Sequence, residues 1–237
     1  MTRLERKRIV VAGATSGIGR ALVTQLAGEN ADVIAIGRDP KKLATLRQEL
    51  PAVKTVSLDA RNHEDVAAFF SKEKDLDHLV LALSGGKGAG EFRSLSLSNL
   101  REAFDEKFWP QLDVLQTALP SMKPGGSITL ITAISATAKM PGTSGLAAMN
   151  GGLEIMVPIL ARELAPLRVN AVSPGVIDTP WWDQFSPEAK AGAFASLTQQ
   201  ILVGRVGRPE EVAAAVRFVL ETDYINATII GCHGGIR

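Results

Sequence analysis

Short, nearly unbroken runs of Val, Ile and Leu alternate with longer amphipathic stretches along the whole chain. That alternation constrains the fold more than any other feature of the sequence. The runs are RIVVAG (8–13), DVIAIG (32–37), VKTVSL (53–58), DHLVLAL (77–83), SITLIT (127–132), RVNAVS (168–173) and ATIIG (227–231). A strand that is apolar at successive rather than alternate positions is buried on both faces. Between the runs lie stretches of helical character at 17–28, 40–49, 62–71, 98–119, 145–165 and 209–221. Strand followed by helix, repeated, needs crossover connections and therefore a parallel sheet covered on both sides. The expectation is an α/β chain: a doubly wound parallel sheet of about seven strands, helices on both faces, in a single domain over 1–237.

Composition narrows the partners. A net charge of +1 leaves no concentrated basic face for nucleic acid or a membrane surface. The cluster RLERKR (3–8) is interrupted by Leu4 and Glu5 and reads as a solvated lead-in to the first strand. Cys232 is the sole cysteine, and His63, His78 and His233 lack metal-ligand spacing, so neither an intrachain disulfide nor a metal site is expected. No apolar run reaches spanning length and the first residues are charged, so the expected location is cytoplasmic.

Gly13, Gly17 and Gly19 in VVAGATSGIGRAL follow the first strand and open the first helix. Such a triplet gives a tight turn, a close approach of backbone to pyrophosphate, and close packing of helix on strand. The helix N-terminus then offers N–H groups and a positive dipole end to phosphates. The spacing is GxxxGxG rather than GxGxxG, yet the strand–turn–helix context agrees. About twenty residues on, the second strand ends in Gly37-Arg38-Asp39. An acid there binds the 2′-hydroxyl of NAD, and an arginine receives the 2′-phosphate of NADP. Arg38 comes first, and its fork suits phosphate, with Ser16 as a second contact; NADP(H) is the expected cofactor.

These residues resemble the classical short-chain dehydrogenase/reductase family, and the resemblance runs the whole length of the chain. AGATSGIG (12–19) is similar to the family's TGxxxGIG, with Ala12 in place of threonine. The resemblance implies a Rossmann-like fold with cofactor contacts from Gly13, Thr15, Ser16, Gly17, Ile18 and Gly19. It places Asp59 of LDA (58–60) beside the adenine amino group, with Ala60 next to it. Ser84 and Gly85 fall in ALSGG (82–86), where the family has NNAG. Within LAPLRVNAVSPGVIDTP (164–180), the resemblance puts Pro174, Gly175, Ile177 and Thr179 along the nicotinamide. HGG (233–235) stands where the family usually has DGG.

The same resemblance exposes a gap. The family's chemistry uses an Asn–Ser–Tyr–Lys set, in which tyrosine protonates the carbonyl oxygen and serine holds it. Lysine lowers the tyrosine pKa and binds the ribose, and asparagine completes a proton relay. Registered without gaps from LRVNAVSPG, the tyrosine position falls on Leu146 and the lysine position on Asn150. The serine position falls on Ala133 and the relay asparagine on Lys107. The only tyrosine, Tyr224, is near the C-terminus, so a shift of one residue does not restore the set. Asn150 is left as a candidate ribose contact.

Loss of a positioned acid typically removes about 10²–10⁴-fold in rate. Holding the reactants together supplies effective molarities of about 10⁵ M or above, so hydride transfer survives as an expectation. Lys107 is the leading replacement, because burial would lower the pKa of its ammonium into a useful range. Thr132, Ser135, Lys87, Lys139 and Asp178 are weaker candidates near the same edge. The segment 180–208, with Trp181, Trp182 and Phe185, is long enough for a substrate lid, though its aromatics would equally serve to pack it onto the body. Three readings follow: an atypical oxidoreductase on a carbonyl-type small molecule, a cofactor-binding sensor without turnover, and a non-redox enzyme holding the cofactor structurally. Helices 98–119 and 145–165 resemble the family's dimer-forming pair, which implies a homodimer or homotetramer, and Pro158 is expected to bend the second of them.

Overall fold

The structure, a computed structural model, describes residues 3–236. Its sheet has seven parallel strands, in the order β3-β2-β1-β4-β5-β6-β7. They are β1 (Arg8–Ala12), β2 (Asp32–Gly37), β3 (Lys54–Ser57), β4 (Leu76–Leu81), β5 (Met122–Ile131), β6 (Arg168–Pro174) and β7 (Ile229–Cys232). The principal helices are α1 (Gly17–Gly28), α2 (Pro40–Glu49), α3 (His63–Phe70), α4 (Leu97–Ala103), α5 (Trp109–Ala118), α6 (Ser135–Ala138), α7 (Ser144–Glu163), α8 (Pro187–Thr198) and α9 (Pro209–Glu221). The expected doubly wound architecture is therefore present.

Two cores explain why the strands read as unbroken apolar runs. Side chains alternate faces along a strand. Val10, Ala12, Ile34 and Ile36 pack with Phe70 of α3, Val114 of α5, and Leu153 and Val157 of α7. Their neighbours Ile9, Val11, Val33 and Ala35 pack on the opposite face with Leu22 and Leu26 of α1, Leu46 of α2, and Val212 and Val216 of α9. Strand order reverses between β1 and β4, and a crevice opens at the carboxyl ends of strands flanking such a switch point.

At four places the structure departs from the sequence expectation or adds to it. The stretch 98–119 is not one helix: a wide π turn, Phe104–Phe108, separates α4 from α5, closed by the Trp109 N–H donating to the Phe104 carbonyl. Pro110 is the cause. It has no N–H to give and its ring crowds the carbonyl four residues back, so the helix widens just before it. β5 begins five residues earlier than SITLIT suggests, its pairing with β4 jumping from Leu76↔Met122 to His78↔Ser127. Gly125, at φ +78, takes the irregular turn in that stretch. The stretch 180–208 contains a 3₁₀ turn, Pro180–Gln184, and the helix α8. Finally, α7 continues through Pro158 as one 20-residue helix. By length and composition it would suffice to cross a membrane, but Met149, Leu153, Val157 and Ala161 on one face are buried against the sheet side of the molecule.

Candidate active site

The glycine-rich turn fits a dinucleotide for reasons visible in its backbone. Gly13 has φ +86, and a Cβ on it would lie 2.4 Å from the Ala82 carbonyl oxygen. A Cβ on Gly19 would lie 2.1 Å from the Gly13 carbonyl oxygen, so the first turn of α1 closes on the end of β1 only without a side chain. Gly17, at φ +51, sits with Thr179 about 3.3 Å from where its Cβ would be. Ser16, at the N-cap of α1, makes no side-chain bond to the helix, so its hydroxyl and the N–H groups of the first turn remain available to an anion. The N–H of Ala14 is used by Ile36, which ties the turn to the end of β2.

At that end of β2 the two charged residues have different commitments. Asp39 caps α2, accepting from the N–H groups of Lys41 at 2.8 Å and Lys42 at 3.2 Å. Arg38 is exposed and makes no hydrogen bond or ion pair among the described residues. Gly37 is required beside them, since a Cβ there would lie 2.3 Å from Cγ2 of Thr15. Asp59 and Ala60 follow β3 next to this point, where the Leu58 N–H donates to the Gly37 carbonyl. The Asp59 carboxylate is held by Arg61 through Nε at 3.0 Å, which lowers its pKa, and the Arg38 charge acts in the same direction.

The crevice continues along the residues after β4 and β6. The Gly86 N–H donates to Oε2 of Glu106 at 3.0 Å, and a Cβ on Gly85 would lie 2.3 Å from the same carboxylate. Gly85 and Gly86 are thus pinned beside the π turn, with Ser84 next to them in the chain. Pro174 ends β6, and Gly175 donates to the Cys232 carbonyl at 3.0 Å. Gly175 leaves no room for a Cβ, which would approach Cα of His233 to 2.7 Å. Ile177 is buried and bridged to Gly207, and Thr179 comes to rest against Gly17. Beyond it the Trp181 indole donates to the Gly85 carbonyl at 2.8 Å. The segment from Thr179 to Trp181 therefore spans from the glycine-rich turn to the loop after β4. Trp182 and Phe185 pack on Trp181 and on each other, Phe194 of α8 meets the edge of Trp182, and no residue of α8 is buried.

At the chemical end, Lys107 and Asn150 meet. Lys107 lies in the π turn, 6% exposed, and its Nζ donates to Oδ1 of Asn150 at 2.8 Å and to the Thr132 carbonyl at 3.2 Å. Asn150 on α7 is 2% exposed and donates from Nδ2 to Ser135 Oγ at 3.1 Å and to the Leu146 carbonyl at 3.0 Å. Both of its amide protons are used inside the chain, and Oδ1, which accepts from Lys107, keeps one further lone pair. Burial pushes the Lys107 ammonium down to about 8, while the Glu154 carboxylate pulls it back up. Ala133 and Leu146 contribute no polar side chain. Ser135, whose direction strand alternation left open, is turned towards Asn150 by the start of α6.

The other candidates are engaged elsewhere. Lys87 pairs with Glu102, Asp178 with Lys190, and Lys139 is exposed in a left-handed turn. Thr132 enters the network through both of its oxygens: its hydroxyl donates to Oε1 of Glu154 at 2.7 Å, and Ser173 donates to the same oxygen at 2.8 Å. Sequence reasoning missed Glu154, Ser173 and Gln111, the last of which donates to the Leu83 and Ile131 carbonyls from full burial. Glu154 had a signal: it lies four residues beyond Asn150, one helical turn along the same face of α7.

Known proteins share this fold. A family profile described as enoyl-(acyl carrier protein) reductase matches residues 13–237. The 3-oxoacyl-[acyl-carrier-protein] reductase of Thermotoga maritima is 31% identical, over 99% of this chain and 99% of its own. L-xylulose reductase of Bos taurus is 30% identical, over 92% of this chain and 90% of its own. Among solved structures, a small-chain dehydrogenase in complex with NADPH has a TM-score of 0.84 and 29% identity, covering 98% of this chain and 99% of its own. A short-chain dehydrogenase/reductase (glucose/ribitol dehydrogenase) from Brucella melitensis reaches a TM-score of 0.90 at 25% identity, covering 100% of this chain and 99% of its own. With the sheet order, the glycine-rich turn and this span of similarity in agreement, the chain belongs to the short-chain dehydrogenase/reductase family of oxidoreductases.

Proposed function

We propose that this protein is an NADP(H)-dependent oxidoreductase acting on a carbonyl-type small molecule without the family's tyrosine and lysine. The observation that carries the reading is the contact between Lys107 and Asn150. The cation and the amide of the family's set are both represented, with their places exchanged between facing helical segments. When bound, NADPH supplies a hydride. The N–H groups of the first turn of α1 would hold the pyrophosphate end, Arg38 with the Ser16 hydroxyl the 2′-phosphate, and residues Pro174 to Thr179 would line the nicotinamide end. Asp39 is already used as a helix cap, which supports NADP(H) over NAD(H).

In reduction, the substrate oxygen would need a proton. Lys107 is the donor, and a pKa of about 8 keeps most of it charged near neutrality while leaving it acidic enough to give the proton up. The neutral amine then recovers a proton from water. Ala133 and Leu146 bring apolar side chains to the family's serine and tyrosine positions, which favours a small or medium apolar substrate. The segment 180–208 acts as its lid, with the Trp181 bond to Gly85 as the closing contact. Exposed Trp109, Ile155 and Ile159 on α5 and α7 would suit a second copy of the chain, which supports a homodimer or homotetramer, and a cytoplasmic location is part of the same proposal.

A second reading, a cofactor-binding sensor or a non-redox enzyme, draws on the depth of Lys107 and the absence of polar side chains at Ala133 and Leu146. NADPH deuterated at C4 of the nicotinamide, each position in turn, separates the readings when incubated with a library of carbonyl compounds and imines. Deuterium in a product, reduced about 10²–10⁴-fold by Lys107→Met with cofactor affinity kept, is the expected result. Tight NADPH binding with no label transferred would transfer the assignment to the second reading.

A further inference from the structure

We propose that Glu154 is the positioning residue of the displaced lysine: bridged by Thr132, its carboxylate fixes Lys107 in the crevice wall and holds it in the ammonium form. This inference rests on the reading of Lys107 as proton donor, and it explains how a lysine came to be workable on the facing segment.

The argument begins with the cost of the lysine. An ammonium that is almost wholly buried loses its hydration, and neutral acceptors such as the Asn150 amide and the Thr132 carbonyl return only part of it. A nearby anion returns more. Asp105 on the same turn is exposed, Glu106 is turned to the Gly86 N–H, and Lys139 beyond β5 is exposed. Gln111, Ser135, Asn150 and Ser173 are neutral. Glu154 is the group whose charge acts on Lys107.

Its placement is specific. One oxygen, Oε1, accepts from the hydroxyls of Thr132 and Ser173 at 2.7 and 2.8 Å, and both of those residues are buried at the carboxyl ends of β5 and β6. Thr132 then faces the lysine with its carbonyl and the carboxylate with its hydroxyl. Asn150 and Glu154, one turn apart on α7, grip the same ammonium, one directly and one through Thr132. Were Glu154 there only to satisfy two hydroxyls, a neutral glutamine would serve as well. That difference is measurable.

The test compares stability against pH for the full chain, Glu154→Gln and Lys107→Met. Because the folded pKa of Lys107 lies below its unfolded value, the folded state favours the neutral amine. Relative to Lys107→Met, the natural chain therefore gains stability as pH rises from about 8 towards 10.5. Removing the Glu154 charge should start that gain about one pH unit lower. Glu154→Asp should move it back towards the natural onset, and Thr132→Val, which leaves the charge in place but held by Ser173 alone, should move it down by a smaller interval than Glu154→Gln.

A uniform loss of melting temperature with the onset unmoved in Glu154→Gln and Thr132→Val would overturn the proposal. Should Glu154→Gln not fold, an unmoved onset in Thr132→Val decides alone. These melts need no substrate. An onset that shifts while no labelled product forms sustains the Glu154–Lys107 coupling and removes the proton-donor reading. Turnover with an unshifted onset does the reverse. With a substrate in hand, the fall of kcat/KM for reduction at high pH should move down by the same interval in Glu154→Gln.

Discussion

The two ends of the crevice obey different kinds of constraint. At the cofactor end, Gly13, Gly17, Gly19 and Gly37 are set by backbone sterics, since a Cβ on three of them would sit 2.1–2.4 Å from a neighbouring atom. At the proposed chemical end, the reading rests on side-chain tips, and these can be supplied from either side of a cleft. Lys107 reaches Asn150 from the π turn, across from the helix where the family resemblance set a lysine. Binding geometry written in the backbone tolerates little, whereas a charge delivered on a long, flexible side chain can change its element of origin and arrive in the same region.

The strongest way to break that contrast is Gly19→Ala. The added methyl meets the Gly13 carbonyl oxygen at 2.1 Å, and the obstacle is backbone on both sides. Overpacking of this kind costs about 1–3 kcal/mol, and here it falls on the turn that must hold pyrophosphate. NADPH affinity, followed by nucleotide fluorescence, should fall about 100-fold or more, with a lowered melting temperature. Affinity within threefold of the natural chain would show that the turn is softer than its contacts indicate, and the contrast between the two ends would lose its basis.

Arg38→Ala sharpens the cofactor half. A charge-assisted bond to a phosphate is worth about 1.5–3 kcal/mol, so NADPH should bind about 10–100-fold more weakly while NADH changes by less than about threefold. Equal weakening of the two nucleotides would mean that Arg38 touches something they share and that the 2′-phosphate is read elsewhere.

How much of this was legible in the sequence follows the same division. The sheet, the glycine-rich turn and the bounds of α1, α2 and α9 are written in hydrophobic period and in glycine spacing, local signals with strong physical causes. The π turn was not read, although Pro110 announces it, because a helical period of apolar residues continues across it. The amino-terminal part of β5 was hidden by Pro124, Gly125 and Gly126, which look like a loop and lie in an irregular strand. At the site, sequence spacing singles out Lys107 and Asn150 separately. Nothing local said that they touch, since 43 positions separate them. Glu154 escaped for the same reason: its partners Thr132 and Ser173 come from two other strands.

The smallest predicted effect concerns the residue beside Arg38. Asp39 ends the same β2 segment where an acid would bind a ribose hydroxyl in an NAD-dependent chain, yet its carboxylate accepts from the Lys41 and Lys42 N–H groups. An N-cap of this kind contributes about 1 kcal/mol to stability. Asp39→Ala should therefore lower the melting temperature by a few degrees, as α2 loses its cap, and leave the ratio of NADPH to NADH affinity within about twofold. Asp39→Asn should restore most of the stability, since the amide oxygen caps equally well, and again leave the ratio alone. If either variant instead raises the preference for NADPH by tenfold, the carboxylate repels the 2′-phosphate. Its capping bonds would then be given up when nucleotide binds, and the cofactor end would depend on a mobile side chain much as the chemical end depends on Lys107.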